Sequence, residues 1–179
     1  MSTIKHLKYI LTGPKIGADM YFTHWLLFFK PFRLWFQKKK LGAIGKGSEI
    51  RPYCIIDGTS HVFIGENVII PEGMVIATDI NNPESIVEIH DSALFGPRCA
   101  IYACSHVFKD VNKPIKEQGF VSAKTVIKEG AWLGINVVVM PGVTVGKNSV
   151  IGANSVVNKD IPDNCVAVGA PARVIKNLV

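Results

Sequence analysis

From Ile127 onward an apolar residue returns at every sixth position: Ile127, Leu133, Val139, Val145, Ile151 and Val157. The same register runs upstream through Ile44, Ile50 and Ile56, through Ile64, Ile70 and Ile76, and through Ile89, Phe95 and Ile101. All fifteen positions are apolar in a chain that is 48% hydrophobic, so coincidence is a poor account of the pattern. Four residues after the repeated position the side chain is often small, as at Ser48, Cys54, Ser60, Ala93, Cys99, Ser105, Ala131, Ser149 and Ser155. A period of six matches neither an amphipathic helix nor the alternation of a half-buried strand. It fits a triangular coil in which each hexapeptide makes one short strand and one corner. The repeated residue points into the prism, and Gly or Asn accepts the unusual corner backbone. Three hexapeptides close a turn of about eighteen residues, and turns stack at the strand spacing of about 4.8 Å.

About five coils fit: residues 44–61, 64–81, 89–106, 127–144 and 145–162. Two short interruptions fall around residues 62–63 and 82–88, and a long polar one covers 107–126. A long excursion from a regular solenoid points to function or disorder. Because this one begins directly after His106, function is the expectation. The division read from the repeat is a segment 1–41 outside the register and a solenoid 42–179 from which loop 107–126 protrudes.

Charge divides along the same boundary. Residues 1–51 hold ten Lys or Arg against Asp19 and Glu49, whereas the remainder holds ten bases against twelve acids. The overall +6 of the 179-residue chain therefore resides in its first quarter. That quarter also carries Tyr21, Phe22, Trp25, Phe28, Phe29, Phe32, Trp35 and Phe36. A helix over Tyr21 to Phe36, interrupted at Pro31, would cap the open end of the solenoid. The aromatics with Lys38, Lys39 and Lys40 would alternatively suit an anionic bilayer surface. No nucleic-acid recognition motif accompanies the basic patch, so no nucleic-acid partner is expected. No apolar run of roughly 18 residues predicts a membrane span, and the N-terminus lacks the order of a secretory signal. Cys54, Cys99, Cys104 and Cys165 show no metal-finger spacing and read as free thiols of a reducing compartment. Cytoplasmic placement follows, with a peripheral position at the inner membrane face as the alternative.

The segment GAWLGINVVVMPGVTVGKNSVIGANSVVNKDIPDNCVAVGAPARVIK, residues 130–176, resembles the acetyl-coenzyme A half of the hexapeptide-repeat acyltransferases. The resemblance extends over about residues 42–179. Within the family the chain is similar to bacterial sugar and cell-surface polysaccharide O-acetyltransferases, including the maltose and galactoside enzymes. It implies an all-β fold, a left-handed parallel β-helix of about five coils with a partly helical N-terminal cap and a short C-terminal tail. The hand comes from the resemblance, since crossover statistics favour the opposite one. The resemblance also implies a homotrimer with active sites between subunits, acetyl coenzyme A as acyl donor, and a sugar or glycan-precursor hydroxyl as acceptor.

Residue roles follow from the same resemblance. His106 is expected to be the general base, a role suited to an imidazole whose ordinary pKa of about 6.5 lies near working pH. Asp79 and, more weakly, Asn81 are expected to contact the acceptor; Asn82 is a weaker candidate again. Trp132, Ile135, Ala153, Asn158 and Lys159 are expected along the coenzyme, with Lys159, Arg173 and Lys176 meeting its phosphates. The group that orients His106 is not visible; Glu88 and Glu117 are candidates without support. Cys104 reads as a small groove residue, because direct transfer needs no acyl-cysteine. His61, His90 and His106 raise the γ-type carbonic anhydrases of the same fold, in which three histidines bind a metal between subunits, but their spacing does not match that family, and no metal is predicted. An N-acetyltransferase acting on an amino-sugar nucleotide and a non-catalytic scaffold complete the alternatives.

Overall fold

The computed structural model describes residues 29–178. Among these there are nineteen strands, most of two or three residues, and sixteen of them wind into a left-handed parallel β-helix with three faces. The first face stacks Ala43–Ile44, Val62–Ile64, Val87–Ile89, Thr125–Ile127 and Thr144–Val145. The second begins with Glu49–Ile50 on Ile69–Ile70 and continues as Leu94–Phe95, Trp132–Leu133, Val150–Ile151 and Cys165–Gly169. The third stacks Ile55–Asp57, Val75–Ala77, Ala100–Tyr102, Val138–Val139 and Val156–Val157.

The register makes each repeated residue the direct neighbour of its counterpart one coil away. On the third face Ile56, Ile76, Ile101, Val139 and Val157 form one column. Ile44, Ile64, Ile89, Ile127 and Val145 form another on the first face. Fourteen of the fifteen repeated residues are buried, and Ile44 in the first coil is partly so. These columns are the hydrophobic core, and their burial is the main favourable term holding the coils together. Ser48, Ala93, Cys99, Ala131, Ser149 and Ser155 are also buried, two positions before the next repeated residue. Ser48 shows how a hydroxyl is accommodated there: its Oγ donates to the Gly65 carbonyl at 2.7 Å and accepts from the Val68 N–H at 2.8 Å. Ser60 is exposed and Ser105 only half-buried, because both sit where the coil is interrupted. Corner asparagines adopt left-handed backbone and link coil to coil, as Asn136 Nδ2 does with Asn154 Oδ1 at 3.0 Å.

The breaks differ from the sequence reading in detail. The extra residues of the first break occupy the corner Gly58–His61, where Gly58 is left-handed and a Cβ would collide with the Thr78 hydroxyl. Residues 62 and 63 lie within a strand. The long break is a hairpin: Cys104–His106 pairs antiparallel with Phe120–Ser122, and Thr125 and Val126 have already rejoined the first face. The C-terminal tail is a strand, Ala172–Asn177, folded back antiparallel on Cys165–Gly169.

The one α-helix of the described residues spans Lys30–Lys40. The part of the expected helix before residue 29 lies outside the described residues. The helix starts at Lys30, after an extended Phe29, and Pro31 does not lie in its interior. The proline sits in the first turn, where its missing N–H is no loss. The helix turns its polar side, Arg33 and Gln37, onto the first coil, while Phe29 and Trp35 stay exposed. Arg33 Nη2 pairs with Glu49 Oε2 at 3.1 Å. The Gln37 amide donates to the Ile50 carbonyl at 2.6 Å and accepts from the Ile50 N–H at 3.2 Å. Arg33 and Gln37 thus bind this helix to the first coil.

Candidate functional site

The residues that immediately follow the inward column of the third face stand one above another at a corner of the prism. Asp57, Ala77 and Tyr102 are register partners, and Met140 follows Val139 one coil further on. They form the back of a cleft of about 480 Å³. His106, Asp79 and Asn81 enter the same cleft, together with Thr78, Cys104, Ser105 and Phe120. The three residues expected to carry base and acceptor contacts are thus brought together.

Each is positioned by a different device. His106 ends the strand that leaves the coil as a hairpin, and its register partner is Phe120. The two rings lie 4.3 Å apart between centroids, tilted by 33°. The base of the hairpin is tied to the coil by Thr125 Oγ1, which donates to the Tyr102 carbonyl at 2.7 Å. Asp79 sits at the start of the second break, where its carboxylate Oδ1 accepts from the Asn81 N–H at 3.0 Å and from Asn81 Nδ2 at 3.2 Å. The backbone of Asp79 is held by Ser85, a fully buried residue whose Oγ accepts the Asp79 N–H at 2.8 Å. The same Oγ donates to the Ala103 carbonyl at 3.1 Å. Ser85→Ala leaves both partners without the hydroxyl. It is expected to cost about 1–3 kcal/mol of stability, read as a lowered melting temperature. An unchanged melt would remove Ser85 from this role.

Burial, followed by the Asp79 carboxylate and with a smaller push from Asp57, raises the Cys104 thiol above its ordinary range. Burial likewise raises Cys99, and Cys54 is pushed up to about 12. All four cysteines are free. Cys104 is therefore a protonated thiol at neutral pH and a poor nucleophile.

The other histidines and acids make separate contacts. His61 Nδ1 lies 3.1 Å from the Ser85 carbonyl, and His90 Nε2 lies 3.6 Å from Glu88 Oε2. Among the described residues no three His, Cys, Asp or Glu side chains are grouped as metal ligands. Glu88, a candidate for orienting His106, instead pairs with Lys124 at 2.7 Å on another face of the prism. Glu117 lies on an exposed helical turn of the hairpin loop.

The seven residues expected along a coenzyme do not enter the cleft of the single chain. Trp132 projects outward from the second face, half exposed between Leu94 and Val150. Ile135 and Ala153 sit at the corner between the second and third faces. There Gly96 and Gly134 give the room, since a Cβ on either would press on the backbone of Ile135 or Ala153. Asn158 and Lys159 follow Val157, on the same corner as Met140 and one coil beyond it. Arg173 and Lys176 are exposed on the C-terminal strand, where Arg173 Nη1 donates to the Ala172 carbonyl at 2.8 Å. Asp57, Tyr102, Met140, Phe120 and Ser85 had not been singled out. The first three carry a readable signal: each directly follows an inward residue of the column that contains Ile101, five positions before His106.

The sequence matches the family "Bacterial transferase hexapeptide (six repeats)" over residues 124–159. Galactoside O-acetyltransferase of Escherichia coli is 34% identical over 142 residues, covering 79% of this chain and 66% of that protein. A putative acetyltransferase of Saccharomyces cerevisiae is 36% identical over 142 residues, covering 79% of this chain and 68% of its own length. A solved hexapeptide-repeat acetyltransferase of Vibrio cholerae, complexed with acetyl coenzyme A, superposes over 100% of both chains with a TM-score of 0.75 at 26% identity. The chain spans 36% to 66% of the length of the first curated relatives it matches.

Proposed function

The chain belongs to the hexapeptide-repeat acyltransferases, and from that premise we propose that it transfers an acetyl group from acetyl coenzyme A to a hydroxyl of a sugar or glycan precursor. The observation that carries this reading is the meeting of His106, Asp79 and Asn81 in one cleft at the corner of the coil. A neutral imidazole nitrogen of His106 takes the proton of the acceptor hydroxyl as its oxygen bonds to the thioester carbonyl carbon. The C–S bond then breaks, and the proton returns from His106 to the departing thiolate as coenzyme A. Asp79 and Asn81 hold the acceptor through its remaining hydroxyls, a carboxylate being a strong partner for such donors.

The donor lies along Trp132, Ile135, Ala153, Asn158 and Lys159, with Lys159, Arg173 and Lys176 near its phosphates. In one chain the cleft and the Trp132–Ala153 region occupy different corners of the prism. A homotrimer supplies the missing juxtaposition, with the His106 hairpin of one subunit beside the second face of its neighbour. The helix Lys30–Lys40 caps the first coil, and the protein works in the cytoplasm. No helix among the described residues is long and apolar enough to cross a membrane.

The test is release of coenzyme A from acetyl coenzyme A, measured over sugars, nucleotide sugars and amino sugars. Release that depends on a hydroxyl acceptor is the expected result. Failure to bind acetyl coenzyme A, seen by calorimetry on the full chain, would overturn the reading, and a strict need for an amine would replace O- with N-transfer.

A further inference from the structure

We propose that Asp57 acts with Asp79 to select the acceptor by charge: the site favours neutral or amine-bearing polyols over acceptors with a carboxylate or phosphate beside the reacting hydroxyl. This rests on the acetyltransferase reading and names the acceptor class for it.

Two carboxylates, Asp57 and Asp79, line the cleft, and among the described residues no Lys or Arg lines it. Several acidic groups elsewhere are paired with a base: Glu49 with Lys30 and Arg33, Glu88 with Lys124, Glu129 with Lys147, Asp163 with Lys128. Among the described residues, the Asp79 carboxylate is met only by the uncharged Asn81, and the Asp57 carboxylate enters no hydrogen bond or ion pair. Asp57 is nonetheless held firmly. It is the register partner of Ala77, and its carbonyl accepts from the Thr78 N–H at 3.2 Å and from Thr78 Oγ1 at 3.0 Å. The carboxylate therefore projects from strand backbone and not from a loop. Its charge, like that of Asp79, is felt within the cleft by the Cys104 thiol.

An ionised carboxylate accepts hydrogen bonds and cannot donate them. Two such groups without a cation ask the ligand for donors, which hydroxyls and ammonium groups provide. A carboxylate or phosphate on the ligand provides none, and it meets like charge in a cleft where water screens only in part. The diphosphate of a nucleotide sugar would have to lie outside this end of the cleft.

The experiment compares a hexose, the matching hexosamine and the matching hexuronate as acceptors, by coenzyme A release, in wild type and Asp57→Asn. The wild type is expected to use hexose and hexosamine at least about tenfold better in kcat/KM than hexuronate. Asp57→Asn is expected to narrow that ratio about five- to tenfold, mainly through KM for the hexuronate. Raising salt to about 0.5 M should narrow the wild-type ratio as well, because it screens the pair. The salt arm needs no variant, so the proposal stays testable even if Asp57→Asn folds poorly by thermal melt. Equal use of hexuronate and hexose by wild type, or an unchanged ratio in a folded Asp57→Asn, overturns charge selection and leaves the transferase reading intact. No release with any acceptor overturns both.

Discussion

His106→Ala is expected to lower turnover by about 10²–10⁴-fold, the usual contribution of a positioned general base, while acetyl coenzyme A still binds within roughly twofold of wild type. The geometry explains why the two effects separate. His106 stands at the exposed end of a hairpin strand, and the ring contact described for it is with Phe120. Removing the imidazole leaves the backbone pairing of Cys104–His106 with Phe120–Ser122 in place. The coenzyme-side residues lie outside the cleft, so they are not disturbed. Single-turnover kinetics together with calorimetric titration of acetyl coenzyme A provide the check. Near-normal turnover in this variant would exclude His106 as the base. Loss of coenzyme binding would mean that the hairpin does more than present the imidazole.

The second large effect is on stability. Ile101 is fully buried, stacked between Ile76 and Val139 on the third face, and it directly precedes Tyr102 on the cleft wall. Ile101→Ala removes the branched side chain from a column in which each neighbour is fixed by strand pairing, so the coil cannot collapse to fill the gap. The expected cost is about 2–5 kcal/mol, or a melting temperature lower by roughly 5–20 °C for a chain of this size. Ile101→Val, which removes a single methyl group, should cost about 0.5–1.5 kcal/mol. Thermal denaturation followed by circular dichroism decides this. A shift in Ile101→Ala no larger than that of Ile101→Val would show that the third-face column is not tightly packed.

How much of this was legible before the structure depends on how local the cause is. The inward positions were readable because one apolar residue per hexapeptide is the condition for closing each coil, and columns such as Ile56, Ile76, Ile101, Val139 and Val157 repeat it without exception. His106 was readable because the register stops there. Asp79 was singled out through resemblance and Asn81 as its neighbour; both line the cleft. What stayed hidden depends on contacts between distant parts of the chain. Ser85 holds Asp79 only because the second break folds over Ala103. The hairpin pairing of His106 with Phe120 spans a polar stretch without alternating pattern. The strand Ala172–Asn177 read as a tail because its residues are mostly exposed once it has paired. At the N-terminus, an aromatic count says nothing of Arg33 and Gln37, which meet the coil to satisfy a specific carboxylate and a specific peptide group.

The Gln37 amide has a further effect. A stack of parallel coils is open-ended by construction: its first and last strands display backbone donors and acceptors that another chain could use to continue the stack, a template for fibril growth. At the lower end, the side chain of Gln37 occupies the donor and the acceptor of Ile50 that an added coil would need. At the upper end, Ala172–Asn177 lies across Cys165–Gly169 in the opposite direction, so the parallel order cannot be extended over it. On the second face, the rod is thus terminated chemically at both ends, and its length is set by the protein itself and not by the supply of further chains.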